Sequence, residues 1–123
     1  MTAKILIVED DELNREVLEA YLLLEEYQVI LTHSGTKGLE LVTKEMPDLV
    51  ILDVNLPDMS GYEICQQIKE RQLSPAVVFV TGLSLKEDRQ QAMEAGADDF
   101  ISRPFDGTDF LHRIQQALIS KAI

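Results

Sequence analysis

Leu49-Val50-Ile51-Leu52-Asp53-Val54-Asn55-Leu56-Pro57 is the stretch that decides the fold. Its first four residues are apolar, too few for a helix of their own, and β-branched enough to read as a strand buried on both faces, as in a parallel sheet covered by helices. The strand ends abruptly in a carboxylate, Asp53, and Pro57, Asp58, Ser60 and Gly61 follow, so the acid stands at the mouth of a loop. Open α/β sheets place their chemistry at such loops, which makes Asp53 a candidate exposed nucleophile or metal ligand.

The same pattern recurs on either side. Lys4 to Val8 reads as a short buried strand that runs into Glu9, Asp10, Asp11 and Glu12. A helix from roughly Leu13 to Glu25 follows, with Leu13, Val17, Ala20, Tyr21 and Leu24 spaced as one buried face, widened by Leu22 and Leu23. Val29 to Leu31 is a second strand, and Leu39, Leu41 and Val42 mark a helix that must stop before Pro47. After Asp53, Gly61 opens a helix with Ile64, Cys65 and Ile68 on one face, so Cys65 reads as a small core residue. Ala76 to Val80 is a fourth strand, ending at Thr81-Gly82, and a helix from Lys86 stops at Gly96. The fifth strand, around Phe100-Ile101, ends at Ser102-Arg103-Pro104-Phe105. Asp106 can cap the last helix, with Phe110, Leu111, Ile114, Ala117 and Leu118 on its inner face.

Strand followed by helix five times, with short connections, predicts an α/β fold: a doubly wound five-stranded parallel sheet in the order 2-1-3-4-5, helices on both faces. With strands one and three adjacent at the centre, Glu9, Asp10 and Asp53 meet. A chain of 123 residues makes one domain, 1–123. Its 11 basic and 22 acidic residues leave a net charge of −11, which repels a phosphate backbone, so direct nucleic-acid binding is not expected. Cys65 is the single cysteine, Met1 leads directly into a strand, and no apolar run reaches the roughly 20 residues of a membrane span. A cytoplasmic location without membrane attachment is the corresponding expectation.

Converging carboxylates repel one another unless a cation lies among them, and hard oxygen ligands with room for water suit Mg²⁺. Thr81 at the end of strand four offers a hydroxyl to a phosphoryl oxygen, and Arg103 at the end of strand five offers a fixed charge and planar donors. Each residue alone is ordinary loop or helix-terminus chemistry. Four strand ends with compatible roles point together to phosphoryl transfer. His33 and His112 read as solvated surface residues rather than phosphoryl carriers.

Several stretches along the chain carry a resemblance to a known family. Ile5 to Asp11, Asp53 with Leu56-Pro57-Asp58-Met59-Ser60-Gly61, and Val80-Thr81-Gly82 with Gly96 to Ile101 and Pro104-Phe105 resemble the response-regulator receiver domain of two-component signalling. The resemblance covers essentially the whole chain. It implies that Asp53 accepts phosphate from a histidine kinase or phosphotransfer protein, with Glu9, Asp10, Asp53 and the backbone carbonyl of Asn55 around Mg²⁺. It also implies a switch pair, Thr81 drawn toward phosphate and Phe100 turning inward, that alters a surface read by a downstream protein partner. The family's lysine before Pro-Phe is here Arg103, longer and planar, and on it turn switching amplitude and dephosphorylation rate.

The alternative is a pseudo-receiver, an interaction module whose switching Arg103 impairs. A true phosphohydrolase would need a second acid two residues past the nucleophile, where Asn55 stands, so at most slow autophosphatase activity is expected. A flavodoxin-like cofactor carrier would need small residues, not Glu9 to Glu12, after strand one. Lys86, Arg89, Asp98, Asp99, Arg113 and Lys121 lie on the last two helices and around the fifth strand, where they are available for cross-subunit pairs in a weak homodimer.

Overall fold

Strand and helix alternate as β1 (Lys4–Val8), α1 (Glu12–Leu24), β2 (Gln28–Thr32), α2 (Gly35–Glu45), β3 (Leu49–Leu52), α3 (Gly61–Glu70), β4 (Ala76–Thr81), α4 (Lys86–Glu94), β5 (Asp99–Ser102) and α5 (Gly107–Ala122). The structure is a computed structural model that describes residues 2–73 and 75–122. Met1, Ser74 and Ile123, part of the expected span 1–123, lie outside the described residues. The strands form one parallel sheet in the order β2-β1-β3-β4-β5, the expected topology.

Alternation along each strand divides two cores. Ile5, Ile7, Leu49, Ile51, Val78 and Val80 pack under α1 and α5 with Leu18, Leu22, Phe110 and Ile114. Leu6, Val8, Val50, Leu52, Val77 and Phe79 face α2, α3 and α4 with Leu39, Val42, Ile64, Cys65, Ile68 and Ala92. Each such buried aliphatic side chain contributes about 1.5–3 kcal/mol over leaving it in water. The helices are capped locally: Asp11 accepts from the Asn14 amide at 2.9 Å, Ser34 from Lys37 at 3.2 Å, Ser60 from Tyr62 at 3.1 Å and Asp106 from Thr108 at 3.1 Å.

One expectation is corrected. The face of α1 that meets the sheet carries Leu18 and Leu22, with Tyr21 half-buried, whereas Leu13 is 67% and Leu24 73% exposed, and Val17, Ala20 and Leu23 are exposed too. Apolar residues recur at helical spacing on two sides of this helix, and periodicity alone does not choose between them. Packing makes the choice: Leu18 and Leu22 are buried with Ile5, Ile7, Phe110 and Ile114, and the Arg15 guanidinium, donating to the Glu9 carbonyl at 2.8 Å, ties down the start of the helix. Leu13, Val17, Ala20 and Leu24 are left as an exposed apolar stripe along α1.

Candidate functional site

Register brings the acids together. Val8 lies opposite Leu52 in the β1–β3 pair, so Glu9 and Asp53, each one residue beyond its strand, leave the sheet side by side. The Asp53 amide donates to the Val8 carbonyl at 3.3 Å and the Glu9 amide to the Thr32 carbonyl at 3.1 Å, which extends the ladder to both acids. This is the point where the chain, having crossed from β1 to β2 on one side, returns to β3 on the other, the crevice where doubly wound sheets bind ligands. Carboxylate oxygens of Glu9, Asp10 and Asp53 lie within 4.8 Å of one another.

The three acids are not equivalent. Asp10 is exposed, Glu9 is 1% exposed and Asp53 8%, so the expectation of an exposed nucleophile gives way to a largely buried one. Asp53 Oδ1 accepts from the Val54 amide at 2.7 Å. Burial pushes the Glu9 carboxyl up to about 7; the Asp11 amide opposes the shift, the Asp53 charge adds to it and Arg103 offsets it.

Arg103 reaches into this cluster from the end of β5. Its Nη1 donates to Glu9 Oε1 at 3.0 Å and to the Val80 carbonyl at 3.3 Å, and its Nη2 to Asp53 Oδ2 at 3.4 Å. Thr81, buried, ends β4 one residue past the position level with Asp53, and its Oγ1 accepts from the Leu83 amide at 3.3 Å. Phe100 is 4% exposed, with its ring 6.3 Å from that of Phe79. Phe79, itself packed on Tyr62 at 5.5 Å, offers an apolar seat that the Phe100 ring fills.

The loop after Asp53 folds back on itself through a bridge between Asn55 and Ser60 and through the Gly61 amide, which donates to the Val54 carbonyl at 2.8 Å. Only glycine fits at Gly61, because a Cβ there would collide with the Asp53 carbonyl oxygen. Asp58, read from sequence only as a turn residue, anchors this loop to the start of α2. Its carboxylate accepts from the Thr36 hydroxyl at 2.6 Å, the Gly35 and Thr36 amides at 2.8 Å and the Ser34 hydroxyl at 3.0 Å. Those donors, Thr36 first, hold it well below the usual carboxylate range. No local pattern announces the role, since its partners lie 22 to 24 residues earlier. His33 and His112 are exposed, and the buried Cys65 thiol, which burial pushes up to about 11, donates to the Ala95 carbonyl at 3.4 Å.

Residues 5–115 match the response regulator receiver domain, and the chain belongs to that family. Receiver domains are regulatory phospho-acceptor modules of two-component systems, and they bind Mg²⁺ in their acidic site. Response regulator ArlR of Staphylococcus saprophyticus subsp. saprophyticus is 39% identical over 115 residues, covering 94% of this chain and 52% of that protein. The chain spans about half or less of the length of the curated relatives it matches. The BeF3-activated N-terminal receiver domain of Klebsiella pneumoniae RstA has a TM-score of 0.89 at 30% identity, covering 94% of this chain and 97% of that chain. The receiver domain of sensor histidine kinase PA1611 from Pseudomonas aeruginosa PAO1, with a magnesium ion coordinated in its active site cleft, has a TM-score of 0.87 at 26% identity, covering 96% of this chain and 98% of that one. The donor set fits the same ion here, because three carboxylates within 4.8 Å offer hard oxygens from a rigid sheet edge. Among the described residues, no helix is long and apolar enough to cross a membrane.

Proposed function

We propose that this chain is a phosphorylation-dependent switch of a two-component or phosphorelay system, in which Asp53 accepts a phosphoryl group from a histidine kinase or phosphotransfer protein. The observation that carries this reading is the set of three acids with oxygens within 4.8 Å at the β1–β3 crevice. An Asp53 oxygen attacks phosphorus, the bond from phosphorus to the donor's imidazole nitrogen breaks, and that nitrogen keeps the electron pair. An acyl phosphate is left on Asp53. Oδ1 is held by the Val54 amide, so Oδ2, with its longer 3.4 Å contact to Arg103, is the oxygen freer to attack. Glu9, Asp10, Asp53 and the Asn55 carbonyl would hold Mg²⁺, which supplies the positive charge that lets a phosphate dianion approach these acids. The Thr81 hydroxyl accepts from Leu83 and keeps its own proton for a phosphoryl oxygen. Asn55 cannot act as a general acid or base, so loss of the phosphate to water is slow.

Labelling with a small phosphodonor, with and without Mg²⁺, tests this. Incorporation that requires Mg²⁺ and vanishes in Asp53→Asn is expected; equal labelling of the two proteins sinks the assignment. The buried position of Asp53 under Arg103 favours a second reading, an interaction module that Arg103 keeps from switching. Absence of any incorporation would select it.

The phosphodonor has a surface to meet. The stripe of Leu13, Val17, Ala20 and Leu24 starts beside Asp10 and is edged by Glu12, Glu16 and Glu19, so it suits an apolar face bordered by basic residues. Readout passes through Thr81 and Phe100 to a downstream protein, or to a second copy paired weakly through α4, β5 and α5. A cytoplasmic location accords with such partners.

A further inference from the structure

Arg103 lies across two of the three acids of the metal cluster, one from each central strand. Its guanidinium spends one nitrogen on Glu9 and the Val80 carbonyl and the other on Asp53, so neither carboxylate is gripped by both nitrogens. The contacts are 3.0 Å to Glu9 and 3.4 Å to Asp53, with the Arg103 side chain 20% exposed. A bidentate pair would be stronger and harder to open. We infer that Arg103 is a built-in counter-ion of the metal-free site, a displaceable clamp that competes with Mg²⁺ for Glu9 and Asp53 and so sets the metal affinity of this chain.

Crowded acids need positive charge, and a cation tethered to β5 is always at hand, whereas a dissolved ion must first dispossess it. Mg²⁺ accepts carboxylate oxygens only in a near-octahedral arrangement, which a guanidinium hydrogen-bonded to the same two groups obstructs. Binding of the ion and release of Arg103 are then linked, each weakened by the other's hold. The released guanidinium, tethered to the end of β5, stays within reach of a phosphoryl group on Asp53, whose oxygens would offer it new acceptors. A lysine at this position could not span both acids, because an ammonium is a single compact charge.

This inference rests on the reading of the acids as a metal site, and the experiment separates the two. Mg²⁺ is titrated calorimetrically into wild type, Arg103→Lys and Arg103→Gln, and thermal unfolding of each is followed in chelator and in saturating Mg²⁺. Both variants should bind Mg²⁺ tighter, by about three- to tenfold, the equivalent of up to about 1.4 kcal/mol. In chelator Arg103→Gln should melt below wild type, and in saturating Mg²⁺ the gap should close, since the metal replaces the lost charge. A merely structural arginine would lower both melting points alike. Equal or weaker Mg²⁺ binding in both variants, with wild type binding normally, overturns the clamp and leaves the metal site standing. No binding to any of the three proteins overturns both. Should Arg103→Gln fail to fold, the Arg103→Lys affinity alone decides.

Discussion

Two of the arginine–aspartate meetings, Arg113 with Asp99 and Arg103 with Asp53, are built differently. Arg113 of α5 grips Asp99 of β5 with a parallel fork, Nε to Oδ2 at 2.8 Å and Nη2 to Oδ1, and the same Nη2 donates to the Phe100 carbonyl at 3.0 Å. Arg89 of α4 donates to that carbonyl too, also at 3.0 Å. Arg103 instead spreads its nitrogens over acids from two strands at 3.0 and 3.4 Å. The first arrangement satisfies one carboxylate fully and fixes α4, β5 and α5 to one another. The second neutralises two acids without saturating either. An acid kept for chemistry is held loosely, and an acid kept for architecture is held by every donor within reach. Asp58, five residues beyond Asp53 and bonded by three residues of α2 and its cap, belongs with the acids kept for architecture.

The sharpest test exchanges each acid for its neutral isostere. Asp53→Asn should abolish phosphate incorporation without lowering stability in chelator, because it relieves a crowded cluster. Asp99→Asn should leave labelling intact and cost about 1–2 kcal/mol in unfolding free energy, since Arg113 loses a charged, partly buried partner. The contrast fails if both substitutions cost the same stability or both abolish labelling. Next in size is Asp10→Ala, which removes the one acid of the cluster that Arg103 does not touch. Calorimetry should show Mg²⁺ affinity reduced about tenfold or more, with a smaller loss for Glu9→Ala if that residue reaches the ion through water.

What could be read from sequence follows the same division. Strand content, strand order and the convergence of Glu9, Asp10 and Asp53 were legible because buried parallel strands are continuous apolar runs and crossover handedness leaves few topologies. The buried face of α1 was not, because Leu13, Val17, Ala20 and Leu24 follow helical spacing as well as Leu18 and Leu22 do. What distinguishes them is the packing of Leu18 and Leu22 with Ile5, Ile7, Phe110 and Ile114, and those contacts are tertiary. The clamp of Arg103, the anchor of Asp58 and the inward seat of Phe100 were equally hidden, each depending on partners far away in the chain. A residue's type shows what it can bond; it does not show whether the partner is a ligand or the protein itself.

A smaller effect separates the acids by pH. Glu9 is raised from an ordinary 4.5 to about 7, so its contribution to stability is full below about 4.5 and is lost as pH rises through about 7. Asp58 is lowered, so its contribution is present above its ordinary 3.8 and is lost as pH falls further. In chelator, denaturant unfolding across pH 4.5–7 should show a decline carried by up to about one proton, and Glu9→Gln should flatten it. A wild-type profile unchanged by Glu9→Gln would place the titration elsewhere.

The smallest expected effect is self-association. The charges read from sequence as available for cross-subunit pairing are mostly engaged within the chain: Arg89 and Arg113 with Asp99, and Lys121, together with Lys69, with Asp98. The reason is proximity, since α4 and α5 flank β5 and bring Arg89, Arg113 and Lys121 to acids of their own subunit. A homodimer through this face would trade one set of pairs for an equivalent set, with little net electrostatic gain, each exposed pair being worth at most about 1 kcal/mol. Salt screens both sets alike, so the steep salt dependence expected of free charges meeting across an interface should not appear. Sedimentation with the beryllofluoride phosphate mimic should show dimerisation no tighter than about 10 μM, nearly the same at low and high salt. Tight association that collapses with added salt would mean that the fork on Asp99 opens as readily as the clamp on Asp53, and the distinction between the two arginines would be lost.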